Sequence, residues 1–230
     1  MSAALDYPLS LAVEDFVPVV LTGAGAALLT LPLRRCGPGT GRAAAAGAVL
    51  VFLGGMSKAT WKLVVALDGP DITVMNKALF PLLSAGFLLL AYALLALNPD
   101  NDASADGRRR PPLWAWAALW AAVGAAGLVL GSTAPSLVLT IVAVTLCGVH
   151  LILLARSLGD FPAAAAGGLW LAGMYALGPL AARPDQSVAL QWVEQSANTA
   201  TQAAFLFAAW RLVRRHRRKS PTPTPSGSAV

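Results

Sequence analysis

The chain has 230 residues, of which 57% are hydrophobic and 12% are charged, and its formal net charge is +6. About a quarter of the residues in a soluble domain are charged, so this composition excludes an ordinary water-soluble domain and indicates the lipid bilayer as solvent. Apolar runs near the roughly 20 residues that one membrane span requires recur along the sequence. We therefore predict an all-α integral membrane protein, a bundle of seven transmembrane helices.

The predicted helices occupy residues 11–213, after a short extracytoplasmic segment, residues 1–10. The longest uncharged run, residues 111–155, divides into two helices at GSTAP because glycine and proline interrupt helices. The tail, residues 214–230, is first basic and then rich in Ser, Thr and Pro, which predicts disorder. The predicted helices are α1 (Leu11–Leu33), α2 (Ala44–Leu67), α3 (Ile72–Leu97), α4 (Leu113–Leu130), α5 (Pro135–Ala155), α6 (Phe161–Ala182) and α7 (Val188–Leu212).

Basic residues indicate the orientation of the bundle. Thirteen Lys and Arg residues lie in the α1–α2, α3–α4 and α5–α6 connections and at the C-terminal end, whereas Arg183 alone lies on the opposite side. Cytoplasmic loops carry the excess of positive charge, so we expect the N-terminus outside and the C-terminus in the cytoplasm, in a bacterial cytoplasmic membrane. The positive net charge thus reflects topology and predicts no nucleic-acid partner. The segment RRHRRK can also contact anionic lipid.

Three of the four lysines lie inside the predicted helices: Lys58 and Lys62 in α2, and Lys77 near the outer start of α3. A charge at the centre of a membrane costs about 2.5–3.5 kcal/mol even on the lenient insertion scale. Side chains lean toward the N-terminus of their helix, so Lys58 and Lys62 lean away from the nearer water. Lys77 leans toward it and can anchor α3 at the interface.

Acidic and polar residues lie at the same predicted depth. The polar positions of α7 recur every three or four residues and share one face, which either holds helices together or lines a wet cavity. Trp61 can form a pocket wall or an interface anchor, and Tyr175 can add a hydroxyl. Because buried charges require partners, we predict a charged pocket between α1, α2, α3 and α7. Its candidate residues are Lys58, Lys62, Lys77, Glu14, Asp15, Glu194, Trp61, Asn76, Gln191, Asn198 and Tyr175.

No metal or other cofactor is expected. Cys147 and His150 share a face of α5, but a metal site requires three or four such ligands, and the second histidine, His216, lies in the tail. We interpret His150 as a hydrogen-bonded helix residue.

Four hypotheses about function remain open. The pocket favours binding or translocation of a small charged solute or of protons. A receptor is the second hypothesis: seven helices with an outer N-terminus resemble the layout of the rhodopsins and other seven-helix receptors, although α7 has no lysine for a retinal Schiff base. A lipid enzyme is third, but no nucleophile–base pair is apparent, so catalysis is not expected. The fourth is a non-catalytic assembly subunit whose ion pairs specify packing.

Overall fold

The computed structural model describes residues 8–97, 111–181 and 187–219. Within these ranges the regular structure is entirely helical, which confirms the predicted all-helical class and the seven predicted helices. The α3–α4 connection, the connection that holds Arg183, and the Ser/Thr/Pro-rich end of the tail lie outside the described residues.

Two of the seven helices are made of two pieces. α1 comprises Leu9–Glu14 and Phe16–Leu33 and ends in a 3-10 turn, Arg34–Cys36, while α3 comprises Thr73–Lys77 and Leu79–Leu94 and ends in a 3-10 turn, Leu95–Leu97. The other helices are α2 (Pro38–Ala66), α4 (Leu113–Val129), α5 (Ala134–Ser157), α6 (Phe161–Ala181) and α7 (Val188–Lys219).

Proline explains both interruptions. The breaks fall at Asp15 and Ala78, three residues before Pro18 and Pro81. Proline has no backbone N–H and its ring collides with the carbonyl four residues earlier, so the Glu14 and Lys77 carbonyls lose their helical donors. Each break therefore lies about one turn N-terminal to a proline.

Two helix ends differ from the prediction by more than three residues, each for a local reason. α2 begins at Pro38, six residues early, because proline is favoured in the first turn of a helix and the following AAAA run is strongly helix-forming. α7 continues to Lys219, since Arg and Lys are also good helix formers.

Four helices are long and apolar enough to cross a membrane: Leu9–Cys36, Pro38–Ala66, Thr73–Leu97 and Ala134–Ser157. α4 and the described part of α6 are apolar but shorter, and α7 combines its polar face with C-terminal arginines. Length and composition thus support a membrane protein. Seven membrane crossings and the orientation stay predictions.

Six helices form a closed ring in the order α1, α2, α3, α5, α6, α7, with α7 returning to α1. Small residues let neighbours approach closely: a Cβ on Gly47 of α2 would lie 2.7 Å from the Gly86 carbonyl oxygen of α3. α4 lies outside the ring and buries no residue. It is attached through Trp120 Nε1, which donates to the Pro81 carbonyl at 3.0 Å.

We call the end with the start of α1 and the α2–α3 turn the upper end, and the end with the α5–α6 turn and the C-terminus of α7 the lower end. The core fills the lower half of the ring. Trp170 and Phe205 stack there with ring centroids 4.6 Å apart, and Phe87 lies 6.1 Å from Trp170. These three rings, which we call the aromatic plug, are at most 2% exposed.

Candidate functional site

The upper half of the ring encloses a cavity of about 700 Å³, which receives side chains from all six ring helices and none from α4. The sequence predicted walls from α1, α2, α3 and α7, and the structure adds α5 and α6. The floor lies at the aromatic plug, where Phe87 is both a plug residue and a lining residue.

The charged residues of the cavity are Lys58, Lys62, Asp15 and Glu194. Lys62 Nζ forms an ion pair with Asp15 Oδ2 at 2.5 Å. The break in α1 occurs at Asp15, so this carboxylate leaves the interrupted helix toward α2.

Lys58 is different, since neither a hydrogen bond nor an ion pair within 4 Å joins its ammonium to a described residue. The charges close enough to act on it electrostatically are those of Lys62, Asp15 and Glu194. Glu194 likewise forms no ion pair with the described residues. The cavity thus holds one ammonium and one carboxylate that are not directly paired.

The polar face of α7 contains residues in opposite situations. Gln202 is satisfied: its Oε1 accepts from Trp170 Nε1 at 3.2 Å, and its Nε2 donates to Asn198 Oδ1 at 3.2 Å. Gln195, two turns higher, is 5% exposed, and its Nε2 has no hydrogen-bond partner. A buried donor without a partner costs about 1–3 kcal/mol. Gln195 therefore offers an unused donor to the cavity.

Apolar side chains form most of the remaining wall. Thr140 closes its own hydrogen bond onto the Ser136 carbonyl at 2.8 Å, so it presents little polarity. The site combines a few polar groups with a broad apolar surface, which is typical of pockets for small organic molecules. The apolar lining includes Phe80, Leu83, Phe87, Val144, Leu171 and Met174.

Six of the eleven predicted site residues line this cavity: Lys58, Lys62, Asp15, Glu194, Asn198 and Tyr175. Tyr175 is half-exposed, and its hydroxyl lies 2.5 Å from Thr145 Oγ1. It therefore marks the α5–α6 side of the cavity.

The other five predicted residues lie outside the lining. Glu14 accepts a hydrogen bond from Thr199 Oγ1 at 2.7 Å and joins α1 to α7. Trp61 is buried, and its Nε1 donates to Asp71 Oδ1 at 2.7 Å, which ties the α2–α3 turn to α2. Lys77 is exposed. Asn76 and Gln191 lie near the upper end but not among the lining residues.

A second polar cluster, which the sequence did not indicate, lies at the lower end. Asp160 in the α5–α6 turn is fully buried and accepts hydrogen bonds from Arg211 Nη2 at 2.8 Å and Arg215 Nε at 3.2 Å. It also caps α6 by accepting from the Ala163 backbone N–H at 3.2 Å. The sequence does indicate the capping role of Asp160, because this residue directly precedes a helix as capping residues do. It does not indicate the arginine partners, which lie 51 and 55 residues later.

The ionisation of Asp160 follows from these contacts. Burial opposes the charged form, but hydrogen bonds from Arg211 and Ala163, the positive charge of Arg211, and the hydrogen bond from Arg215 outweigh it. They hold the pKa of Asp160 below its ordinary value. The carboxylate is therefore ionised at neutral pH and bonds the lower turn to α7.

Among the described residues, no group of three or more His, Cys, Asp and Glu side chains could hold a metal ion. His150 Nδ1 lies 2.8 Å from the Leu146 carbonyl oxygen, and Cys147 Sγ donates to the Phe87 carbonyl at 3.3 Å. Both residues thus bond to helix carbonyls.

The fold and the cavity describe a class of protein: an all-helical chain with membrane-compatible helices and a charged lumen. No known protein family, no curated protein and no solved structure matches the chain.

Proposed function

We propose that this protein binds a small organic solute with an anionic group in the cavity of its six-helix ring. The observation that carries the proposal is Lys58, an ammonium that faces the cavity without a hydrogen bond or ion pair to the described residues. A charge at membrane depth is stabilised by a partner, and a bound carboxylate would supply one.

The other features of the cavity specify the solute further. The free donor of Gln195 suits a second oxygen of the same anionic group. The apolar wall suits a hydrocarbon or aromatic body, and Glu194 suits a positive group on a zwitterion. The cavity volume of about 700 Å³ falls within the roughly 300–1,000 Å³ of typical ligand sites.

Binding is favoured over free conduction because the aromatic plug closes the lower half of the ring. A channel for solutes or protons would need a polar path past Trp170 and Phe205, which are buried and stacked. We therefore infer a carrier that must separate the plug during each cycle, or a receptor that does not transport.

The binding proposal is tested with three probes that share an aromatic body and differ in charge: benzoate, phenylalanine and benzylamine. A ligand raises the thermal midpoint of the purified protein according to its concentration relative to Kd. Benzoate or phenylalanine should stabilise the wild type, benzylamine should do so less, and Lys58→Met should abolish the effect. The matched control, Lys77→Met, removes a lysine outside the cavity and should leave it intact. Equal stabilisation of wild type and Lys58→Met by all three probes would refute the proposal.

Transport is then separated from reception in proteoliposomes. The stabilising probe is supplied outside, and its uptake is compared for wild type, Lys58→Met and Glu194→Gln. Uptake that both variants reduce identifies a carrier. Binding without uptake identifies a receptor of the seven-helix type.

We also propose that the lower end faces the cytoplasm of a bacterial cell, because the described arginines cluster there. Cys36 provides a native probe, since it is exposed at the lower end while Cys147 is buried. A membrane-impermeant maleimide should leave Cys36 unlabelled in intact cells and label it after permeabilisation. Asp68→Cys in the upper α2–α3 turn is the control and should label in intact cells; the opposite pattern would invert the orientation.

A further inference from the structure

The lower end contains a small pocket of about 140 Å³ that is separate from the ring cavity. It is lined by Asp160 and by four arginines of α7: Arg211, Arg214, Arg215 and Arg218. The orientation rule requires only that positive charge lie near the cytoplasmic end. It does not require that guanidinium groups surround a common space.

The described residues compensate only part of the charge of this pocket. Asp160 neutralises one positive charge and bonds Arg211 and Arg215. Neither Arg214 nor Arg218 is within 4 Å of a described carboxylate. Four guanidinium groups thus face one carboxylate across the pocket, and a further anion would reduce their mutual repulsion.

Ring contacts hold two of these arginines, Arg211 and Arg214, in position. Arg214 lies over the Trp210 ring, 4.7 Å from its centroid, and Arg211 lies 5.9 Å from the centroid of Phe207. Arg211 is further fixed through three hydrogen-bond contacts with Asp160. Guanidinium groups held in this way lose less entropy when they bind an anion, so Arg211 and Arg214 are positioned before any ligand arrives.

We propose that this pocket binds a phosphate group. The planar fork of arginine donates two parallel hydrogen bonds to phosphate oxygens, and such charge-assisted bonds are about twice as strong as neutral ones. The phosphate belongs either to a lipid headgroup or to a soluble molecule. Exposed Trp210 and Phe207 beside the pocket favour the lipid, because aromatic side chains are enriched where membranes meet water.

The experiment uses the full-length protein in detergent with three probes: short-chain phosphatidylglycerol, phosphatidylcholine of the same chain length, and inorganic phosphate. The variant Arg214→Gln/Arg218→Gln removes two pocket arginines that do not bond Asp160. The matched control, Arg156→Gln/Arg217→Gln, removes the same charge from exposed positions that do not line the pocket.

Phosphatidylglycerol should bind the wild type more tightly than phosphatidylcholine does. Two arginines that donate to one phosphate are worth tenfold or more in affinity, so the pocket variant should lose about that factor and the control should lose little. Inorganic phosphate that displaces the lipid would assign the site to phosphate from either source; failure to displace it would assign the site to a lipid headgroup. Equal losses in both double variants, or failure of both lipids and of inorganic phosphate to bind, would overturn the proposal. An unchanged thermal midpoint without lipid checks that both variants are folded.

Discussion

The upper cavity and the lower Asp160 cluster contain the same kinds of charge but use them differently. At the lower end, one buried carboxylate has each of its oxygens bonded by arginine or by a helix N–H. In the cavity, Lys58 and Glu194 form no ion pair with each other, and the buried Nε2 of Gln195 lacks a hydrogen-bond partner. Satisfied polar groups are typical of structure, whereas unsatisfied ones in a lined cavity are typical of a site that a ligand completes.

The choice of cation follows the same division. The ion pairs of the lower cluster use arginine, whose rigid fork fits a carboxylate, and the cavity uses lysine, whose ammonium is a compact charge on a flexible chain. Stability should therefore depend on the lower cluster, and ligand binding on the cavity.

The largest expected effect is on stability at the lower end. Asp160→Asn removes the buried charge that Arg211 and Arg215 share and should cost about 2–4 kcal/mol of unfolding free energy, measured by denaturant unfolding in detergent. Asp68→Asn is the matched control: Asp68 is exposed with φ 57°, a conformation that asparagine also accepts, and stability should not change. Equal effects at both positions would break the comparison.

The pH dependence of the same pair is the next effect. Because the pKa of Asp160 is lowered on folding, its stabilisation is present at neutral pH and is lost as pH falls through the lowered value. The stability difference between wild type and Asp160→Asn should therefore narrow below about pH 4. The measurement is the thermal midpoint of each protein over an acid titration. The contributions of the acidic residues that both proteins share cancel in the difference between the two midpoints. A difference that stays constant to low pH would show that the charge is not the cause.

Replacing two glutamines on one face of α7 should change the unfolding free energy in opposite directions. Gln202→Leu leaves Trp170 Nε1 buried without an acceptor and should cost about 1–3 kcal/mol. Gln195→Leu removes a donor that has no partner, so unfolding free energy should stay equal or rise by about 1 kcal/mol, while affinity for the anionic probe falls. The two variants control for each other, and destabilisation of both by similar amounts would remove the distinction between satisfied and unsatisfied polar groups.

An effect smaller than that of Gln202→Leu is expected at the edge of the cavity. Thr199→Val removes the hydroxyl that donates to Glu14 and should lower unfolding free energy by about 1–2 kcal/mol, since the acceptor is charged. Thr73→Val, at an exposed position of α3, is the control. If Thr199→Val lowers the binding free energy of the anionic probe by more than it lowers the unfolding free energy, Glu14 contributes to ligand binding although it lies outside the cavity lining.

The sequence predicted the helices well because long uncharged runs determine them directly. It could not predict the ring. α4 is apolar on every face and α5 carries no charge before Arg156, so their sequences do not indicate which face packs inward or that α4 lies outside. The breaks at Asp15 and Ala78 were predictable in principle, since Pro18 and Pro81 are visible in the sequence and interrupt helices by a known mechanism.

For the candidate site, the sequence showed which charged residues lie inside apolar helices, but it did not show which residues they contact. Lys62 pairs with Asp15 rather than with Glu194, and Trp61 bonds Asp71. Such pairings depend on how adjacent helices rotate, which no local pattern encodes. The sequence did not indicate the Asp160 cluster, because the orientation of the bundle already accounts for Arg211 and Arg215. An arginine can both mark the cytoplasmic end and bond a buried carboxylate.

The ring has a consequence for how the protein is made. α1 and α7, the first and last described helices, are neighbours, so the cavity is bounded only after the intervening chain has been synthesised. Contacts between segments so distant in sequence form slowly, because loop-closure entropy opposes them. Until α7 is synthesised, Lys58 and Asp15 lie on the wall of an open groove rather than in a closed cavity.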